Sequence, residues 1–147
     1  MGALDRWTLQ PESWDCLIVL LDQFPRNNFR GSYKALHFDK KSLALSLEAT
    51  VKEAYLELPP SMGYFMLIPK MNTESIEAQN IGLKAFKNLA SSCSDATCPM
   101  IDSTIRFAEA HRSIIERFGL FRHRNQVLDR ESCAEEIRFL KEKGSSF

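Results

Sequence analysis

The chain has 147 residues, enough for one domain with a sizeable hydrophobic core. Its 19 basic residues balance its 19 acidic residues, which argues against bulk attraction to nucleic acid or to an anionic membrane. The longest apolar run, Cys16 to Leu21, is far too short to span a bilayer, and Met1 to Gln10 contain no apolar signal-peptide segment.

The first predicted helix is the apolar run from Trp14 to Phe24, which Ser13 precedes and Pro25 ends. It leads into residues 21–31, a tract that combines an acid, two arginines, three amides and two phenylalanines. A solvated linker does not need phenylalanines, and an ordinary core loop does not need two arginines. We therefore expect this tract to be a loop that holds polar groups in fixed places.

The middle of the chain is also predicted to be helical. Asp39 can cap a helix that the prolines at 59 and 60 close. Its apolar stripe consists of Leu43, Leu47, Val51 and Ala54. Residues 62–68 are apolar and could form a buried strand on composition, but no partner strand is evident, so we predict a buried helix. The next helix begins at position 72 or 73 and continues to about Ala90.

Two more helices complete the prediction. After a small polar loop at 91–97, a long helix extends from Pro99 to Phe118, where Gly119 ends it. The last helix opens with a capping box, Ser132 to Glu135, and ends at Gly144. Its inward residues are Ile137 and Leu140, and its last turn contains Lys141 and Lys143. Because nothing alternates with period two, the sequence predicts an all-α fold of about six helices in a single domain, 1–147.

The four cysteines are dispersed through the sequence. Cys16 lies in an apolar run and Cys133 just inside a helix start, which suggests reduced, packed thiols in a cytosolic protein. Cys93 and Cys98 have no second pair and no nearby histidine, so a zinc site there is not expected. The three histidines also lack metal-ligand spacing, and we predict no metal and no cofactor.

His111 is the most informative single residue. It shares the predicted apolar face of the long helix with Phe107, Ile114 and Phe118. The alternative is a core histidine satisfied by a carbonyl or carboxylate group. Arg112, one position round the helix, can reach the rim of the same region.

A basic segment connects the long helix to the last one. It contains Arg117, Arg122, His123, Arg124 and Arg130. It can be a solvated loop with local ion pairs, but the interleaved aromatic residues indicate packing on the core. Guanidinium groups in such surroundings favour bidentate acceptors such as carboxylate or phosphate. Asp22 is the expected internal partner, joining the two arginine-bearing segments.

Two motifs in this chain resemble a known family. The first is Leu-Leu-Asp-Gln-Phe-Pro-Arg-Asn at 20–27 with Phe-Arg-Gly at 29–31. The second contains His-Arg at 111–112, Arg-Phe-Gly at 117–119 and His-Arg-Asn at 123–125, and the chain closes on Gly-Ser-Ser-Phe at 144–147. Together they are similar to the family catalogued as domain of unknown function 924, over nearly the whole chain.

The resemblance implies an all-helical, tetratricopeptide-repeat-like array of antiparallel helices, and it brings no established activity. Its polar positions, which we infer converge on one pocket, correspond to Asp22, Gln23, Arg26, Asn27, Arg30, Glu74, Gln79, His111, Arg112, His123, Arg124 and Asn125.

This chain also departs from the family pattern. It has Asn72 where members usually have histidine and Leu67 where tyrosine is common, which makes the site more apolar and less suited to proton transfer. Members also tend to begin with a helical segment containing Phe-Trp-Phe, which this chain lacks. Either a second copy of the chain covers that region, or this is a specialised relative with a changed ligand.

The sequence therefore supports two hypotheses. In the first, an inter-helix pocket binds an organic small molecule through an anionic or oxygen-bearing group, with isomerisation, cyclisation or dehydration as the candidate reactions. The catalytic candidates are His111, His123 and Asp22, and the ligand-binding candidates are Gln23, Arg26, Asn27, Arg30, Glu74, Arg112, Arg124 and Asn125. In the second, these residues form a structural ion-pair network in a non-catalytic interaction module. RNA binding through the arginine segment is a weaker third reading.

Overall fold

The structure, a computed structural model, describes residues 4–94, 96–142 and 144–145. These residues form helices and turns without a strand, which confirms the all-α prediction. The α-helices are α1 (Pro11–Asn28), α2 (Asp39–Val51), α3 (Pro60–Gly63), α4 (Ile68–Met71), α5 (Ile76–Ser92), α6 (Cys98–Phe118) and α7 (Ala134–Phe139). Single 3-10 turns occur at Asp5–Leu9, Tyr33–Leu36, Ala54–Leu56, Phe65–Leu67 and Arg122–Arg124. No described helix is both long enough and apolar enough to cross a bilayer.

Helices α5 and α6 form an antiparallel pair joined by a short turn. The pairing is visible in two cross-helix contacts, Lys87 Nζ to Glu109 Oε1 at 3.1 Å and Arg112 Nε to Asn80 Oδ1 at 2.6 Å. The inner faces of this pair meet α1 and the short central helices in one apolar core. The largest of its fully buried apolar side chains are Phe86, Ile18, Met66, Leu67, Leu89 and Ile101.

Helix α1 continues past Pro25, the residue that was predicted to end it. Pro25 lies inside α1, which begins at Pro11 and continues to Asn28. The Phe29 backbone N–H donates to the Pro25 carbonyl oxygen at 2.9 Å, so the last turn closes normally beyond the proline. The prediction that residues 21–31 form a loop was therefore wrong for most of the tract, which belongs to the helix.

The buried face of α2 also differs from the predicted stripe. Val51 is 85% exposed, whereas Ser42, Ser46 and Ala49 are buried. One of the two serines, Ser46, lies on this face because it has polar partners in the core, which are described with the site. Helix α2 begins at Asp39 as predicted but ends at Val51, before the prolines, because Glu53 adopts a left-handed conformation with φ 56°.

Residues 62–68 confirm the choice of a buried helix over a strand, although turns interrupt it. Helix α3, a 3-10 turn and α4 follow one another, and Met66 and Leu67 are fully buried. Gly63 is required here because a Cβ atom at this position would overlap the backbone carbonyl of Tyr55. This close approach fixes α3 against the turn that follows α2.

The C-terminal elements are shifted slightly from their predicted limits. Helix α5 begins at Ile76 with Ser75 as its cap, and α6 ends at Gly119 with φ 73°, as expected. The α7 capping box uses Cys133 and Glu136, one residue later than predicted. Glu136 is therefore buried and Ile137 is exposed, which contradicts its inward placement. Lys143, Ser146 and Phe147 lie outside the described residues.

Cys16 and Cys133 are free thiols, as predicted, but both are exposed, so the prediction that they are packed was wrong. Cys93 and Cys98 are bonded as a disulfide across the turn between α5 and α6, where their Cα atoms lie 5.7 Å apart. The turn, rather than the spacing of the two residues alone, brings them together.

Candidate functional site

A cavity of about 470 Å³ lies between the C-terminal end of α1, the turn that follows it, α4, and the segment after α6. Seven residues predicted for the site line it: Gln23, Arg26, Asn27, Arg30, His111, His123 and Arg124. The two arginine-bearing segments, distant in sequence, therefore meet in space. The structure places them on the same cavity and not on opposite faces of the molecule.

Asp22 orients the α1 side of this site. Its carboxylate is only 1% exposed and accepts from Gln23 Nε2 at 2.5 Å, Arg26 Nε at 3.2 Å and Asn72 Nδ2 at 3.1 Å. Its arginine partner is one turn along the same helix, which corrects the expectation of a partner from the second segment. Asp22 thus positions Arg26 and Asn72 from beneath the cavity.

Asp39, at the start of α2, joins the two segments instead. Its Oδ1 accepts from Arg26 Nη2 at 2.7 Å, and its Oδ2 faces Arg124 Nη1 at 3.8 Å. Burial raises the pKa of Asp39, and both arginines oppose that increase. From the sequence, Asp39 was predicted only to cap a helix, and nothing in its local pattern indicates the link.

Arg124 is a largely buried cation with a long ion pair and an aromatic neighbour. The Asp39 contact is too long for a hydrogen bond, and the guanidinium carbon lies 4.6 Å from the centre of the Phe121 ring. Burial and then the nearby charge of Arg26 lower the pKa of Arg124 to about 10, although Asp39, Glu74 and Asp22 counteract them. The guanidinium stays charged at neutral pH, and its charge is only partly compensated.

His111 and His123 flank the same aromatic ring. Their ring centres lie 5.4 Å and 5.6 Å from that of Phe121, which is almost fully buried. Burial, and after it the nearby charge of Arg124, lowers the pKa of His111 to about 3 and that of His123 to about 4. Both imidazoles are therefore neutral near pH 7.

Glu74 lies in an adjoining cavity of about 320 Å³ and is occupied by internal partners. It forms a two-pronged ion pair with Arg130, at 3.0 and 2.9 Å, and accepts the backbone N–H of Phe121 at 2.9 Å. Burial alone would raise the pKa of this carboxyl, but the hydrogen bonds from Arg130 and Phe121 outweigh it and hold the pKa below its usual value. Glu74 therefore anchors the segment that carries His123 and Arg124.

Three other predicted polar residues lie away from the cavity. Arg112 is on the surface, where Glu116 and Asn80 hold it. Asn125 is buried and donates to Ser132 at 2.9 Å, next to the Arg122–Glu136 ion pair. Gln79 is also buried and donates to the carbonyls of Thr73 and Met71. These contacts tie loops to helices.

One polar cluster in the core was missed entirely. Lys70 is fully buried, its Nζ donates to Ser46 Oγ, and Ser46 in turn donates to the Met66 carbonyl. Burial lowers the Lys70 pKa to about 7. The only sequence signal is a lysine that directly follows the buried run 66–69. Ser46, on the buried face of α2, is the hydrogen-bond partner of this lysine.

The described residues contain no cluster of three or more histidine, cysteine, aspartate or glutamate side chains arranged to hold a metal ion. The Asn72 departure from the family pattern has a clear structural place, because its amide donates to Asp22 and lines both cavities. Leu67, the other departure, is fully buried in the core and does not line either cavity.

Comparison with known proteins gives a family and a solved relative. The model of a family described as bacterial protein of unknown function (DUF924) matches residues 1–144. A protein of unknown function from Agrobacterium tumefaciens, ATU0120, has a similar structure, with a TM-score of 0.81 and 34% sequence identity. The similarity covers 95% of this chain and 73% of that one. No curated protein matches.

Proposed function

Because this chain belongs to DUF924, a family of bacterial proteins of unknown function, its activity has to be argued from the cavity, and we propose that it binds an organic small molecule through an anionic or oxygen-bearing group. The observation that carries this proposal is the placement of Arg26 and Arg124 on one cavity with two neutral histidines. Cavities of this size suit small ligands.

The charge balance supports an anionic ligand. Three arginines line the cavity. Asp22 contacts Arg26, and Asp39 contacts both Arg26 and Arg124, whereas neither acid contacts the exposed Arg30. The neutral histidines do not add charge, so three cations face two acids. An anion bound beside Arg26 and Arg124 adds to the partial compensation that Asp39 gives them.

The chemistry that this arrangement favours is electrostatic stabilisation of a developing oxyanion, as in isomerisation, cyclisation or dehydration. His111 and His123 are neutral and can accept a proton, whereas neither can serve as a cationic acid while the cavity is empty. A bound anion raises both pKa values and makes the histidines stronger bases. Asp22 has a positioning role, because it contacts Arg26 and Asn72 from below.

The test is a thermal-stability screen of organic acids, phosphate esters and neutral analogues. A ligand at a hundred times its dissociation constant adds about 2.7 kcal/mol of stability. Arg124→Gln should abolish the shift. Arg117→Gln is the matched control, since Arg117 is an exposed arginine that pairs with Glu135 outside the cavity. Equal shifts in both variants, or no shift with any anion, would contradict the proposal.

The interaction-module alternative is favoured by a different set of contacts. Glu74, Asn125 and Arg112 are all engaged by protein partners, as a structural network requires. Under this alternative no small molecule stabilises the parent, and Arg124→Gln and Arg117→Gln behave alike in the ligand screen. The two functions are therefore separated by the same pair of variants.

We also propose that residues 1–147 form a single domain whose helices pair as in tetratricopeptide repeats. We place the protein in the cytoplasm and propose that it self-associates. Self-association is supported by Leu20 and Phe24, which are exposed one turn apart on α1. Sedimentation of the parent and of Phe24→Ser tests it. A parent that sediments as a monomer at all concentrations would rule out self-association.

A further inference from the structure

The walls of the cavity are only partly polar. Besides the arginines, apolar side chains from three segments line it, chiefly Leu36, Ile68, Met71 and Val127. Ile68 and Met71 are three residues apart on α4 and share one face of that helix. A strongly hydrated ion held by the arginines would leave these apolar walls against water.

The polar part of the cavity, by contrast, has one more cation than acids, because Asp22 and Asp39 contact Arg26 and Arg124 but not Arg30. That excess is enough for a monoanion, and a second negative charge would face the two acids without a further cation. Two amides, Gln23 and Asn27, supply neutral donors beside the arginines.

Resting on the function proposed above, we propose that the ligand is an amphipathic organic monoacid. Its carboxylate lies between Arg26 and Arg124, and its apolar body covers Ile68 and Met71. The apolar body supplies most of the affinity because each methylene removed from water contributes about 0.8 kcal/mol. The carboxylate supplies orientation, since it exchanges water for guanidinium donors.

The Phe121 ring fits this division of the cavity. It has His111, His123 and Arg124 around it, so its face and edges are surrounded by polar groups. The ring is itself almost fully buried, so these polar groups occupy the part of the cavity next to it. The apolar end of the ligand therefore has to extend toward α4 and the turn after α1, where Leu36 and Met71 lie.

The experiment is calorimetric titration with straight-chain carboxylates from acetate to octanoate, at fixed ionic strength and below micelle formation. Affinity should rise about four-fold per methylene, which corresponds to about 0.8 kcal/mol. Octylamine, which has the same tail and the opposite charge, should not bind. Arg124→Gln should weaken every acid by the same factor, and Arg117→Gln should leave all affinities unchanged.

A second variant separates the two ends of the site. Met71→Gln should reduce the gain per methylene while leaving the affinity for acetate as it was. Retained circular dichroism and cooperative unfolding show that the variant is folded, and Val127→Ser provides an independent change on the opposite wall.

The possible failures are distinguishable. If all chain lengths bind equally and Arg124→Gln weakens them, the amphipathic ligand is wrong and the anion site stands. If octanoate binds equally well to Arg124→Gln, the tail is partitioning nonspecifically and the inference is again wrong. If neither these acids nor any anion in the wider screen binds, the proposed function itself falls.

Discussion

Replacing Lys70 by methionine should stabilise the protein, and the gain should depend on pH. The lysine is fully buried, and burial lowers its pKa from 10.5 to about 7. A lysine with a depressed folded-state pKa binds fewer protons in the folded state than in the unfolded state. The stability of the parent therefore falls as the pH drops from 10.5 toward 7, and it stays low below that point.

The expected magnitude follows from the size of this shift. The cost of burying Lys70 in the parent is about 4 kcal/mol at pH 7 and about 2 kcal/mol at pH 9, as order-of-magnitude values. Methionine is an unbranched side chain that keeps the Cβ and Cγ positions of Lys70, which lie where a Cβ atom at Gly82 would be. Ser46 still donates to the Met66 carbonyl in the variant, so no new buried donor is left unpaired.

Urea denaturation of the parent and Lys70→Met at pH 7 and pH 9 measures this difference. The stability gap between the two proteins should shrink by about half over this range. Lost hydrogen bonds from Nζ add an offset that does not vary with pH, so the change in the gap is the decisive quantity. A gap that is equal at both pH values would refute the reasoning, because it would mean that Lys70 has the same pKa in both states.

Three further predictions concern the site and its support. Glu74→Gln weakens the ion pair with Arg130 and should lower the free energy of unfolding by about 1–2 kcal/mol at pH 7. Because the folded-state pKa of Glu74 is lowered, this difference should decrease as the pH falls below 4.5 and vanish below the folded-state pKa. An unchanged difference at pH 3 would contradict the prediction. The imidazole proton signals of His123 in NMR spectra should stay constant from pH 8 to 6 and titrate near pH 4; a midpoint near 6.5 would show that the site is open to water. Gly63→Ala should lower stability by about 1–3 kcal/mol, because its Cβ overlaps the Tyr55 carbonyl; thermal unfolding at the parental temperature would contradict this packing.

The sequence predicted the helices well where the cause of a boundary is local. Gly119 ends α6 because a left-handed residue closes the helix, and Pro99 is tolerated in its first turn. Pro25 gave the wrong end for α1 because a proline removes one hydrogen bond but does not prevent three more residues from remaining helical. The buried face of α2 was predicted wrongly because Ser46 is the hydrogen-bond partner of Lys70, which lies 24 residues away in the sequence.

The site residues were likewise predicted in part, where local motifs mark them, and missed where long-range contacts decide their role. The two motifs identified Arg26, His111, His123 and Arg124, and the structure brings these residues to one cavity. Sequence reasoning did not find Asp39 as their bridge, because its contacts with Arg26 and Arg124 span 13 and 85 residues of chain. The pKa values of the histidines could not be predicted either, since they depend on burial and on the distance to each arginine.

The carboxylate of Asp39, at the start of α2, competes with any acidic ligand for the arginines of the cavity. Each of its oxygens faces a different guanidinium, so the position that a ligand carboxylate would take is already occupied. Capture of a guest is then an exchange of one carboxylate for another, and its net gain is smaller than the bare arginines would give. Asp39 is also the first residue of α2. Displacing its carboxylate from the arginines therefore changes the contacts of the first turn of that helix, so ligand binding is coupled to the start of α2.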